Sequence, residues 1–215
     1  MPPVGLPHRL FAWTLLAGIS MTVFAEPGPV EMLQATTEQV LALVRQDPDV
    51  LEDPLRLRVI ANEIVLPHVD FPALSRWVLG KHWRQATPQQ RAAFIDAFRE
   101  LLLGTYLRSV SRYRDNAISF RPLAEAPATD RVAINAEITQ PGAPVVHAVF
   151  KLHRPAGKWL IYDVAVEGVS LVATHRSSFY REISRSGLDG LIDRMQAHNA
   201  DTAAPAAGTG GVAVP

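Results

Sequence analysis

The spacing of apolar residues changes near the middle of the chain, and this change constrains the fold more than any other feature. Up to about residue 113 the apolar residues recur at steps of three or four, which is the period of an α-helix. From residue 116 to about 166 they alternate with polar residues, as in strands with one solvated face. The helical period then returns at 171–198. Helices and strands in separate parts of a chain predict an α+β fold.

The stretch 67–113 carries the clearest helix boundaries. Thr87 and Gln90 form a T-x-x-Q capping box around Pro88, which suits the first position of a helix, so a long helix is predicted from residue 88. Before it, Asp70 can cap a shorter helix that ends at Gly80, and Trp83 is expected in the link between the two helices. Further helices are predicted at 30–45 and 54–65.

Short turns separate the alternating segments of the second half. Strands are predicted at 118–123, 132–138, 146–152 and 159–166. Because the proline- and glycine-containing turns between the last three are too short for a crossover, these strands must be antiparallel neighbours. The expected fold is therefore a helical layer packed on the apolar face of an antiparallel sheet of about four strands.

The first 25 residues are typical of an export signal. His8 and Arg9 precede an apolar run at 10–24, and Val23 and Ala25 occupy the two positions that a signal peptidase reads. The run falls short of the roughly 20 residues that cross a bilayer, so a retained anchor is the weaker alternative. We expect cleavage after Ala25, a single domain at 26–199, and a disordered tail rich in Ala, Pro and Gly at 200–215.

Composition excludes several classes of function. Lys and Arg number 21, Asp and Glu also number 21, and no basic block is present, so the field that attracts nucleic acid is missing. The absence of cysteine excludes disulfides and thiolate zinc sites. His147 and His153 lie about 20 Å apart on one strand and cannot share an ion, and Asp70 beside His68 already has a capping role. We therefore predict no metal site and no cofactor.

Asp163 is the candidate for catalysis. The chain has no G-x-S-x-G motif and no glycine-rich phosphate loop. Asp163 lies in the last strand, where strict alternation places it on the same face as Trp159 and Ile161. A carboxylate beneath helices could serve as a general base in a small exported enzyme with a cone-shaped α+β fold and an apolar substrate. In the alternative interpretation Asp163 pairs with an arginine or caps a backbone amide.

Three ordered blocks of sequence resemble the MlaC family. They are WVLGKHWRQATPQQ at 77–90, FIDAFRELLLGTY at 94–106 and WLIYDVAVEGVSLV at 159–172, and the likeness continues through Arg176, Phe179, Gly187 and Leu191. Members of this family, also called toluene-tolerance auxiliary components, are periplasmic phospholipid-binding proteins. The resemblance implies a curved antiparallel sheet and an apolar cavity, between sheet and helices, that holds acyl chains.

The resemblance also implies a function and partners. The expected function is to carry phospholipid between an outer-membrane lipoprotein–porin complex and an inner-membrane ABC transporter with an MCE-domain subunit, which maintains lipid asymmetry in the outer membrane. Phospholipid would be cargo rather than a cofactor, and the protein would be a monomer without enzymatic activity. Hydrated headgroups could stay at the cavity mouth, which predicts a weak headgroup preference.

Ten side chains are expected to line this cavity. They are Phe98, Leu102 and Tyr106 on the long helix, Ile134, Phe150, Tyr162, Val164 and Val166 on the sheet, and Trp83 and Val169 near the rim. The alternative is that the same side chains fill a dry core, as they would in a purely structural adaptor of the cell envelope.

Overall fold

The structure is a computed structural model that describes residues 26–110, 117–122 and 130–203. The expected export signal, and residues 204–215 of the expected tail, lie outside the described residues. Within the described part the α-helices are α1 (Pro29–Gln46), α2 (Pro54–Ile60), α3 (Phe71–Leu79), α4 (Lys81–Gln85), α5 (Pro88–Val110) and α6 (Leu171–Ala203). None of the described helices is long and apolar enough to cross a membrane.

The predicted helix boundaries between residues 70 and 90 are confirmed. The amide of Thr87 donates to Gln90 Oε1 at 3.0 Å, and the amide of Gln90 donates to Thr87 Oγ1 at 3.1 Å. Asp70 Oδ1 accepts from the Ala73 amide at 2.8 Å and so caps α3. Trp83 lies in the short helix α4 rather than in an irregular link. One short helix of five residues thus lies between α3 and α5.

The helix that begins at Pro54 changes its winding before it ends. α2 continues as a π-helical turn at Ala61–Val65 and then as a 3₁₀ turn at Leu66–His68. The wider π turn rotates the side chains that follow it, and such turns are often found at functional sites. Val65 and Leu66 consequently face the space between α5 and the sheet.

The sheet is an antiparallel meander in the order β1-β2-β3-β4-β5. Its strands are β1 (Ala117–Pro122), β2 (Arg131–Thr139), β3 (Val146–His153), β4 (Leu160–Val166) and β5 (Val169–Ser170). The four predicted strands are present, and β5 is a two-residue addition. It forms because Glu167 and Gly168 both have positive φ, 49° and 77°, and turn the chain back onto the end of β4.

A β-bulge in β4 interrupts the alternation of its side chains. Lys151 pairs with Asp163, but the next residue of β3, Leu152, pairs with Ile161, so Tyr162 is the extra residue. Ile161 therefore faces the apolar cluster that β1–β4 form with α1, whereas Asp163 faces Lys151 on the other side. The expectation that Asp163 shares a face with Ile161 is wrong, because a bulge of one residue reverses the alternation.

Helix α6 bends sharply at Gly187, where φ is 73° and ψ is 179°. The interruption predicted at Ser186 and Gly187 is thus confirmed. The second half of the helix returns Leu191, Ile192 and Met195 to the core. The helix reaches Ala203, so residues 200–203, which were predicted to belong to a disordered tail, are helical instead.

The core consists of two main clusters. One joins α3, α5 and α6 and is centred on Phe94, Phe98 and Phe179; the other joins α1 to the sheet around Ile134 and Leu152. The clusters are connected at β4, where the Asp70 amide donates to the Ile161 carbonyl at 2.8 Å. Asp70 Oδ2 also lies 2.8 Å from His153 Nε2 on β3. This junction fixes the helical layer to the sheet.

Candidate functional site

Two apolar pockets lie between the helices and the sheet. The α5 pocket has a volume of about 280 Å³ and is lined by Ala61, Val65, Leu66, Val69, Phe71, Leu74, Arg99, Leu102, Leu103, Tyr106, Leu107, Phe150, Ile161, Val164 and Leu171. The α1 pocket has a volume of about 360 Å³ and is lined by Leu33, Thr36, Thr37, Val40, Leu41, Val44, Leu51, Val65, Ile118, Phe120, Phe150 and Ile161. They share Val65, Phe150 and Ile161, so the two spaces adjoin at these side chains.

The pocket walls follow from helix spacing and strand register. Leu102 and Tyr106 are four residues apart on α5 and lie on one face, about 6 Å apart along the axis. On the sheet, Phe150 of β3 is directly opposite Val164 of β4, and on its other side it is opposite Ile134 of β2. The Phe150 ring makes an edge-to-face contact with Phe120, with centroids 6.0 Å apart. Tyr106 is 44% exposed, and its partial burial raises the pKa of its phenol.

The structure brings four of the ten expected wall residues into these pockets. Leu102, Tyr106, Phe150 and Val164 line the α5 pocket, and Phe150 also lines the α1 pocket. Their contact with lipid remains a prediction.

The other six expected wall residues lie elsewhere. Phe98 and Ile134 are fully buried within the two core clusters, and Trp83 packs against the helical one. Tyr162 stacks on Trp77 on the other side of the sheet because of the bulge. Val166 and Val169 are 46% and 64% exposed at the end of β4 and in β5.

Sequence reasoning missed the walls contributed by α1 and by the π turn. Val40, Leu41 and Val44 have helical spacing in the sequence, and this signal was sufficient to place an apolar face on α1. It was not sufficient to show that the face covers a pocket. The π turn that directs Val65 and Leu66 inward has no recognisable pattern in the sequence.

Arg99 is the only charged residue among the described residues that line the α5 pocket. Its Nη2 donates to Asn62 Oδ1 at 2.5 Å, and its guanidinium carbon lies 5.9 Å from the centre of the Phe71 ring. The buried Nε of Arg99 has no acceptor within the part of the chain that the structure describes. A buried donor without an acceptor costs about 1–3 kcal/mol, so this side chain is incompletely satisfied.

Asp163 is held in a structural arrangement. The residue is 4% exposed, and its carboxylate accepts from Lys151 Nζ at 2.9 Å, from Ser170 Oγ at 2.9 Å and from the Val172 amide at 3.2 Å. The last two contacts are at the start of α6, where they cap the first turn. The interpretation that Asp163 caps a backbone amide is therefore confirmed, with a lysine in place of the expected arginine. Both carboxylate oxygens are thus engaged by donors of the protein itself.

The described histidines form no metal site. No group of three His, Asp or Glu side chains in the described ranges is arranged to hold an ion. His175 lies among aromatic rings, with its centroid 5.1 Å from that of Phe98 and 5.4 Å from that of Phe179. Burial lowers the pKa of His175, so the imidazole is neutral at pH 7 and behaves as part of the core.

Comparison with known proteins identifies the family. The family described as MlaC protein matches residues 34–197. The chain is 25% identical over 182 residues to the intermembrane phospholipid transport system binding protein MlaC of Haemophilus influenzae, which covers 83% of this chain and 85% of the relative. It is 26% identical over 183 residues to the toluene tolerance protein ttg2D of Pseudomonas putida, with the same coverage of 83% and 85%.

A solved structure confirms the fold. It is a phospholipid-binding protein of Ralstonia solanacearum in complex with a phospholipid, and it superimposes with a TM-score of 0.76 at 24% identity. The match covers 83% of this chain and all of the solved chain. The Haemophilus influenzae relative is named for phospholipid transport and the Ralstonia solanacearum protein for phospholipid binding, and neither is named as an enzyme. The family pattern matches three quarters of the length of this chain, and the chain therefore belongs to the MlaC family.

Proposed function

We propose that this protein is a periplasmic carrier that holds phospholipid acyl chains in the α5 and α1 pockets. The observation that carries the proposal is the pair of pockets adjoining at Phe150, which are lined almost entirely by hydrocarbon. The names of the relatives, which refer to phospholipid transport between membranes and to toluene tolerance, support it. The phospholipid bound by the Ralstonia solanacearum protein of the same fold agrees with it.

A carrier of this kind lowers the free-energy cost of moving a lipid through water. A two-chain phospholipid has about thirty methylene groups, and at about 0.8 kcal/mol each the gross cost of exposing them is of order 25 kcal/mol. Leu102, Phe150 and Val164 offer aliphatic and aromatic contact in place of the bilayer. Because such contacts are not directional, they accept chains of different length and unsaturation.

The further parts of the proposal concern location and partners. We propose that the export signal directs the protein to the periplasm, where it exchanges lipid with an inner-membrane MCE-domain ABC transporter and an outer-membrane lipoprotein–porin complex. The exposed Val166 and Val169 would lie at the rim of the lipid site. The resulting movement of lipid would maintain the asymmetry of the outer membrane.

Lipid content of the purified protein tests the central claim. Protein exported with its own first 25 residues should contain phospholipid by native mass spectrometry and solvent extraction. The variant Val164→Trp places an indole in the α5 pocket and should lower the lipid content several-fold. The matched control is Val149→Trp, because Val149 lies on the opposite face of the neighbouring strand and lines neither apolar pocket. Folded wild-type protein that neither contains phospholipid nor takes it from vesicles would refute the proposal.

A further inference from the structure

The α5 pocket combines an apolar wall with a single charge. Fourteen of its lining side chains carry no charge, and the exception within the described residues is Arg99. A guanidinium is always charged in a protein. Arg99 is half-buried among side chains that are mostly hydrocarbon, so water does not solvate its charge fully. A charge in such surroundings is normally paired.

The contacts of Arg99 do not neutralise this charge. Its hydrogen-bond partner is the amide of Asn62, whose Nδ2 donates to the Arg58 carbonyl at 2.8 Å, so that Oδ1 is the atom directed at Arg99. An amide oxygen accepts one hydrogen bond but brings no negative charge. Glu100, the neighbouring carboxylate in the sequence, pairs with Arg58. Among the described residues no carboxylate forms an ion pair with Arg99.

The unused bonding capacity of Arg99 matches a particular ligand chemistry. Its Nε–H is buried and finds no acceptor among the described residues, and a guanidinium binds planar pairs of oxygens with two parallel hydrogen bonds. An oxygen anion covalently attached to hydrocarbon chains would satisfy the guanidinium while its chains occupy the apolar wall. Phosphate diesters and carboxylates both present such oxygens.

We infer that Arg99 binds the anionic oxygens of the lipid cargo and makes this site selective for lipids that carry such a group. The inference rests on the proposed function and adds a residue that determines specificity. It is consistent with weak preference among headgroups, because the phosphate is common to all phospholipids. It requires strong discrimination against a neutral lipid with the same chains.

A competition between matched lipids tests the inference. The exported protein is incubated with vesicles that contain equal amounts of dioleoylphosphatidylcholine and dioleoylglycerol, which differ by the phosphocholine group. The lipid that it acquires is measured by native mass spectrometry. The wild type should take the phosphate lipid at least about tenfold more than the neutral one. In Arg99→Gln this ratio should fall about tenfold while the total number of acyl chains bound is retained. The control Arg181→Gln, at an exposed arginine of α6, should behave as the wild type.

A second arm distinguishes the source of the anion. Vesicles with oleic acid and oleyl alcohol in place of the diacyl lipids measure selection for a carboxylate. If Arg99→Gln lowers the ratio of anionic to neutral lipid with the diacyl lipids, the group that Arg99 binds is a phosphate. If it lowers the ratio of oleic acid to oleyl alcohol, the group is a carboxylate. Ratios unchanged by Arg99→Gln in both arms would overturn the inference and leave the proposed function intact.

A second variant keeps the test independent of folding. Asn62→Asp retains Arg99 and places a carboxylate against it, and this carboxylate neutralises the guanidinium in place of the ligand anion. The selectivity for the phosphate lipid over the neutral lipid should therefore fall as in Arg99→Gln. Retained selectivity in a folded Asn62→Asp protein would overturn the inference. Wild-type protein that acquires no lipid in either arm would instead refute the proposed function, and this inference with it.

Discussion

Asp163 accepts hydrogen bonds from three elements at once: β3 through Lys151, β5 through Ser170, and α6 through the Val172 amide. Its position next to the bulge in β4 makes this possible, because the extra residue Tyr162 turns the carboxylate away from the apolar face. A charged acceptor with several donors stabilises a junction, since hydrogen bonds to charged groups contribute more than neutral ones. At the residue scale this carboxylate connects the sheet to the first turn of α6.

Replacement of Asp163 by Asn should therefore lower stability without changing cargo. The amide keeps the shape but loses the charge facing Lys151 and one acceptor oxygen, so we expect the free energy of unfolding to fall by about 1–3 kcal/mol in a denaturant titration. The matched control is Asp130→Asn, whose carboxylate pairs with Arg154 at 3.2 Å and is 77% exposed; it should cost no more than about 1 kcal/mol. Lipid content should match the wild type in both. A loss of lipid in Asp163→Asn with unchanged stability would contradict this structural role.

At the scale of elements, α6 shows what the sequence can and cannot predict. The pair Ser186 and Gly187 signals an interruption, and the structure places it there. The sequence does not tell by how much the helix turns, because that is decided by the φ of 73° and ψ of 179° at Gly187. These angles lie in a region open essentially to glycine alone. The bend allows Phe179 and Leu191, from the two halves of α6, to join one core cluster.

The variant Gly187→Ala should destabilise the helical layer. A Cβ at this position cannot adopt the observed backbone angles without strain of about 1–3 kcal/mol, and relief by straightening would withdraw Leu191 and Met195 from the core. We expect a loss of that size in the free energy of unfolding, measured by denaturant or heat. The control Ser186→Ala, at an exposed neighbour whose hydroxyl bonds to Glu182 one turn earlier, should be nearly neutral. Equal effects of the two substitutions would show that the glycine angles are not required.

Across the whole molecule, local signals predicted the elements but not the spaces between them. Capping groups at Asp70 and Thr87 and the alternation in β2 and β3 are physical signals read over a few residues, so the helix boundaries and the meander followed from the sequence. The bulge at Tyr162 depends on how β4 pairs with β3, and the alternation within β4 alone does not reveal it. Whether an apolar face covers a packed core or a pocket depends on how the helical layer fits the sheet. Phe98 and Phe150 therefore look alike in the sequence, although Phe98 lies in the core and Phe150 lines a pocket.

Stability and cargo should be coupled through Phe150, because its ring lies between the α5 and α1 pockets. The variant Phe150→Ala joins the two spaces and leaves the empty protein less well packed. Because the side chain is half-buried, we expect the free energy of unfolding to fall by roughly 2–3 kcal/mol, less than the 3–5 kcal/mol of a fully buried phenylalanine. A lipid that fills the joined space replaces the lost contacts, and a ligand bound by the folded state alone raises stability by mass action. The loss should thus be large in protein freed of lipid and small in lipid-loaded protein, as measured by thermal unfolding of both forms. Val149→Ala, on the opposite face of β3, should shift both forms equally. A Phe150→Ala protein in which the two forms lose the same stability would show that lipid does not occupy the space beside this ring.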